Sequence, residues 1–171
     1  MSDQAVTAEH FKWILLEIFV QIFLYILQLV TGGGMRAKHF GKEFMERHFK
    51  TEFERIDIPV PAGGVPDCGT GRFSDKLSQA DWLDYNSTQW VSNSAVQSIL
   101  ATTLVTFLLG VYLPSWGIGV GLFFIIWRIV YAVATKTNPS TLAIIDPFNQ
   151  IVLTFSTAAV AYFAYKTAKS A

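Results

Sequence analysis

Arg128 and Tyr131 stand three residues apart near the end of the apolar run GIGVGLFFIIWRIVYAVATKT. At that spacing on a helix they share one face. A guanidinium and a phenol so placed suit an anionic ligand. The arginine can clamp a carboxylate, and the phenol can hydrogen-bond a thiolate or an oxyanion. The structural alternative is an arginine anchored at lipid headgroups beside an interfacial tyrosine. Glu17 is the one acid placed inside an apolar run, a functional candidate by its position alone. Its plainer reading is a carboxyl one turn inside the headgroup zone, protonated or paired. A further polar set opens the run from Asn86 to Leu113. There Gln89, Asn93 and Gln97 recur every four residues and share a helix face, with Ser94, Ser98 and Thr102 on a neighbouring line. Lipid offers no hydrogen bonds, so such stripes must meet protein or a ligand.

Other chemistries are excluded. His10, His39 and His48 form no HxxxH or HExxH pair, so no metal site is expected. The single cysteine, Cys68, precludes an internal disulfide, and in its Gly/Pro-rich loop it reads as an inert thiol. Gly32, Gly33 and Gly34 are not followed by GK[ST], which removes the phosphate-loop reading. They read as a hinge, or as a site of close helix contact. A formal net charge of +0 argues against nucleic acid, which needs a basic face. No nucleophile and base can be paired from spacing.

The elements that must hold these residues are membrane helices. Of 171 residues, 51% are hydrophobic, and they gather in four runs. A run of about 20 apolar residues crosses a bilayer as a helix. The expected fold is an all-α integral membrane protein, one four-helix domain over residues 1–171. Its spans lie at about 11–31, 87–113, 116–135 and 147–165, with an extramembrane connection at about 35–85. Gln21 and Gln28 on span one should face other helices. From Met35 to Ile56, residues Met45, Phe49, Phe53 and Ile56 form an apolar stripe in a densely charged segment. That predicts an amphipathic helix on a membrane or partner surface, or an extension of span one packed on its own protein. Asp57–Phe73, with three prolines and four glycines, is a loop. Ser74–Tyr85 should form a short helix with a Ser78/Asp81 capping box, Trp82 and Tyr85 facing the interface and a second start at Asn86. Gly117 and Gly121 have the spacing that lets membrane helices approach closely. Asp146-Pro147 reads as the start of span four.

The first ten residues lack Lys and Arg, so neither a signal peptide nor a transit peptide is expected and span one should act as its own insertion signal. Arg36, Lys38, Lys42, Arg47, Lys50 and Lys136 fall on one side, against Lys12, Lys166 and Lys169 on the other. The positive-inside rule puts the long connection in the cytoplasm, or in the matrix of a mitochondrion.

Four spans, a charged connection after the first, a polar start to the second, the turn Tyr112-Leu113-Pro114 and the pattern Arg128, Tyr131, Ala132 resemble the MAPEG family, the membrane-associated proteins of eicosanoid and glutathione metabolism, and within it the microsomal glutathione S-transferase 3 branch. The resemblance covers the chain from the basic run through span four. It implies a left-handed four-helix bundle, a homotrimer, and glutathione held between subunits. Family members open span two with RAxxNxxE. Here Trp90 stands at the arginine, Ser94 at the asparagine and Gln97 at the acid, with Asn93 one residue off. A second tyrosine is replaced by Thr135, and the thiol-activating arginine after span three has Lys136 as its nearest counterpart. A charged hydrogen bond contributes about 1.5–3 kcal/mol, and at about 1.4 kcal/mol per tenfold the loss of two weakens glutathione about 100-fold.

The leading expectation is therefore a catalytically degenerate, MAPEG-like accessory subunit without a cofactor, set in the lipid bilayer with other membrane subunits, in the mitochondrial inner membrane or the endoplasmic reticulum. The rival is an active glutathione transferase or peroxidase acting on hydrophobic electrophiles or lipid peroxides. In it Arg128, Gln97, Asn93, Arg36 and Lys38 bind glutathione and Tyr131 stabilises the thiolate. A third reading is a lipid-binding module built on the Met45–Ile56 stripe.

Overall fold

A computed structural model describes residues 8–61, 70–138 and 142–170. Residues 62–69 of the Pro/Gly loop, Cys68 among them, lie outside these, as do residues 139–141. The regular structure of the described residues is helical, with α1 at Ala8–His39, α2 at Lys42–Arg55, α3 at Gln79–Tyr112, α4 at Pro114–Thr137 and α5 at Leu142–Ser170. A single 3-10 turn, Ser74–Lys76, precedes α3. Among the described residues there is no strand. Four helices, α1, α3, α4 and Pro147–Lys169 of α5, are long and apolar enough to cross a membrane. Their outward faces carry Phe19, Phe23, Val30, Leu100, Trp116, Ile126 and Phe155. That coating of large apolar side chains belongs in lipid, and the chain is an integral membrane protein.

Two compact units divide the chain, Met1–Ile26 with Ser94–Ala171 and Leu27–Asn93. In the first, α3 and α4 meet at glycines. A Cβ on Gly117 would strike the backbone of Gly110, and one on Gly110 would run into Ile14 of α1. Both glycines are there because nothing larger permits so close an approach. The core continues through Val105, Leu109 and Phe124, covered by Val152, Leu153 and Val160 of α5.

In the second unit the core is aromatic. Phe40, Met45, Phe49 and Tyr85 are buried together, with Phe44, Phe53, Phe73 and Leu77 against them. The stripe of α2 is thus spent inside its own unit, with Met45 at 0% and Phe49 at 2% exposure and only Ile56 outside. That removes the lipid-binding reading of the stripe and bears out the alternative of self-packing. The charged segment is not one helix: α1 runs on to His39, the chain bends, and α2 starts after Gly41.

Other boundaries moved. Gly32–Gly34 lie inside α1 instead of hinging it, and Gly32 abuts Ser92, leaving no room for a side chain. The capping box formed, since Ser78 Oγ accepts from Asp81 N at 3.2 Å and donates to Asp81 Oδ2 at 2.6 Å. The short helix and the second start did not. One helix of 34 residues runs from Gln79, because Asn86 turns its side chain back to donate to the Trp82 carbonyl at 2.9 Å. Tyr85 is wholly buried rather than interfacial. Helix α5 begins at Leu142, about one turn before the expected start, so that Pro147 sits within it.

Candidate functional site

Within the first unit four helices surround a small cavity of about 30 Å³. Helix α1 supplies Gln21 and Tyr25, α3 supplies Ser98 and Thr102, α4 supplies Trp127 and Arg128, and α5 supplies Asn149. The volume suits two or so water molecules, at roughly 10–15 Å³ each by this measure. A tripeptide does not fit this cavity.

Local sequence explains the lining. Ser98 and Thr102 are one turn apart on α3 and face inward with Ser94. Each satisfies its hydroxyl hydrogen locally, Ser98 to the Ser94 carbonyl at 2.8 Å and Thr102 to the Ile99 carbonyl at 3.2 Å. Hydroxyl oxygens are thereby left to accept. A third hydroxyl oxygen, Ser94 Oγ, accepts from Arg128 Nη1 at 3.2 Å. The Arg128 guanidinium also lies 5.6 Å from the ring centre of Tyr131, within cation–π range. Tyr131 is 4% exposed. Arg128 and Tyr131 thus meet on one face of α4, as their spacing predicts. Trp127 stacks on Phe123 and packs against Phe148, yet its Nε1 is buried without a hydrogen-bond partner.

Deeper on the α1 side, Gln21 Nε2 donates to Thr106 Oγ1 at 3.3 Å while its Oε1 has no partner. One turn back, Glu17 is 4% exposed and its Oε2 is likewise unpartnered. The carboxyl occupies the space a side chain at Gly121 would fill. The expected small-residue spacing of α4 is thus used twice, by Gly117 against backbone and by Gly121 against an acid.

The other predicted residues are elsewhere. Gln97 and Asn93 are exposed on α3 and have no hydrogen-bond partner among the described residues. Only Gln89 of their stripe turns inward, donating to the Gly32 carbonyl at 3.4 Å. Asn93, Arg36 and Lys38 belong to the second unit, Gln97, Arg128 and Tyr131 to the first. Arg36 buries its Nε without a partner, and Lys38 is bonded to Asp84 at 2.6 Å. Asp84 also faces His39 Nε2 at 3.0 Å, while His39 Nδ1 lies 3.5 Å from Asp81. The two carboxylates lie in the first two turns of α3, ahead of its apolar stretch, and Lys38 and His39 in the last turn of α1. The Lys38 hydrogen bond, with help from His39, holds the Asp84 carboxyl below the usual carboxylate range. Trp90, at the arginine position of the resemblance, meets Trp82 edge to face.

Sequence reasoning missed Trp127 and Asn149. Neither stood in a recognisable spacing, and only the α4 and α5 packing brings them to the cavity. Among the described residues no group of three or more His, Cys, Asp or Glu could hold a metal. No family model, curated protein or solved structure matches this chain.

Proposed function

We propose that the chain is a four-span accessory subunit of a larger membrane assembly, a MAPEG-like bundle without the charge set that glutathione chemistry needs. The observation that carries this reading is the pair Asn93 and Gln97. Both lie in the polar first half of the second apolar run, outward and unpartnered among the described residues. An unsatisfied amide in hydrocarbon costs several kcal/mol. Another protein surface removes that cost, and lipid does not. Helix α5 supports the same reading, since only 6% of its apolar window is buried and Phe155, Tyr162 and Tyr165 project outward. The home membrane is the mitochondrial inner membrane or the endoplasmic reticulum.

Gentle extraction and native mass measurement test the proposal. The chain should migrate in a complex with other subunits, and Asn93→Leu with Gln97→Leu should release it. Recovery of the wild type as a monomer would overturn it.

A second reading keeps the enzyme. The Arg128 and Tyr131 pair beside a polar cavity is the geometry a carboxylate and a thiolate would use, with Arg36, Lys38, Asn93 and Gln97 contributed across a homotrimer interface. Calorimetric titration of the purified protein with glutathione separates the two. Binding that Arg128→Ala abolishes supports the enzyme, and no heat at millimolar glutathione supports the accessory subunit.

A further inference from the structure

Glu17 is the most isolated polar group of the first unit. Its side chain is buried, and it makes no hydrogen bond or ion pair among the described residues. Gly121 of α4 and Thr106 of α3 lie against it, and neither titrates. Thr106 has committed its hydroxyl hydrogen to the Thr102 carbonyl at 2.8 Å. One turn further along the same face of α1, Gln21 Oε1 is a buried acceptor without a donor. Two acceptors and no donor make an arrangement that lacks one hydrogen. Adding it to the Glu17 carboxyl removes an uncompensated charge and supplies the donor in one step.

Gln21 also lines the cavity that holds Ser98, Thr102 and Arg128. From Gly121 to Arg128 is seven residues of α4, about 10 Å of helix rise. A polar column thus leads from the acid toward the end of the bundle where Arg128 lies, through a space that accommodates water. The ionisable side chains on that column are Tyr25 and Arg128. Arg128 disfavours a metal cation in so small a volume, since the ion would keep its charge. A proton ends as a neutral O–H.

We propose that Glu17 is a proton-binding site of the membrane interior, with Gln21 as its hydrogen-bond relay and the Arg128 cavity as its route to one membrane face. The inference does not depend on the accessory-subunit reading. The test is infrared difference spectroscopy of the full chain in liposomes, wild type against Glu17→Gln. At neutral pH the wild type should show the carbonyl stretch of an undissociated acid, absent from Glu17→Gln and shifted in Glu17→Asp, which keeps the test intact where the amide variant fails to fold. The band should move in deuterated buffer, ignore sodium at constant pH, and fade reversibly as the medium is made alkaline. Filling the cavity with Ser98→Leu should slow the deuterium shift tenfold or more. A wild-type spectrum without the band, its loss on adding sodium, no deuterium shift in the wild type, or an unchanged rate in Ser98→Leu would each overturn the proposal.

Discussion

Gly117 shows how much one missing side chain decides. Its Cα faces the backbone of Gly110 so closely that any Cβ must push α4 off α3. Gly117→Ala should cost about 1–3 kcal/mol, the usual range for overpacking, read as a lower unfolding midpoint in detergent. Gly33→Ala, with open space at its Cβ, should leave that midpoint unchanged or raise it. The small-residue spacing was visible in the sequence, and so was the oddity of Glu17. What lay against each was not, because spacing along one helix says nothing about which residue of another faces it. The Arg128 and Tyr131 pair was legible for the opposite reason: both partners sit on one helix, three residues apart, and geometry follows from the helical repeat alone.

The same contrast governs whole elements. Helix α2 announced its apolar stripe, yet the stripe could not say whether lipid or protein would cover it. Phe40, Phe73 and Tyr85, distant in sequence, settle that. Phe49→Ala should therefore cost about 3–5 kcal/mol, as for other buried phenylalanines, and lower the protection of α2 in hydrogen exchange. It should not merely weaken liposome binding. The polar start of α3 was read as two neighbouring lines, with nothing to say what each would meet. Ser98 and Thr102 line the cavity and Ser94 accepts from Arg128, while Asn93 and Gln97 face out. A difference of one residue is 100° around a helix, more than a face can absorb. In the first two turns of α3, ahead of those lines, Asp84 should give the α1 terminus a pH dependence. Its folded carboxyl titrates below its unfolded value, so its contribution is present above the usual carboxylate range and fades as the pH falls through the folded value. Hydrogen exchange of the last turn of α1 should quicken on acidification through that range, and Asp84→Asn should abolish the change.

At the scale of the molecule, four helices able to span and the membrane class were open to direct reading, since a bilayer demands runs of fixed length. The apolar exterior conforms. The association state was not open to the same reading, because exposed amides register as polar residues until a structure shows they point away from the bundle. Replacing Gln89 by Leu should weaken the fold itself, since its amide bonds the Gly32 carbonyl. Replacing Asn93 and Gln97 together should leave the fold intact and reduce native mass. A thermal melt and a native gel on the same preparations distinguish these outcomes.

Helix α5 is covered by its neighbours along little of its length, its contacts running along a seam that includes Phe123, Phe124, Trp127 and Phe148. It is also the last of the five helices to leave the ribosome. The three earlier spans can lock at their glycine crossings while this one is still passing through the insertion machinery. Joining late and holding lightly, it is the helix a newcomer can grip without undoing what is already built.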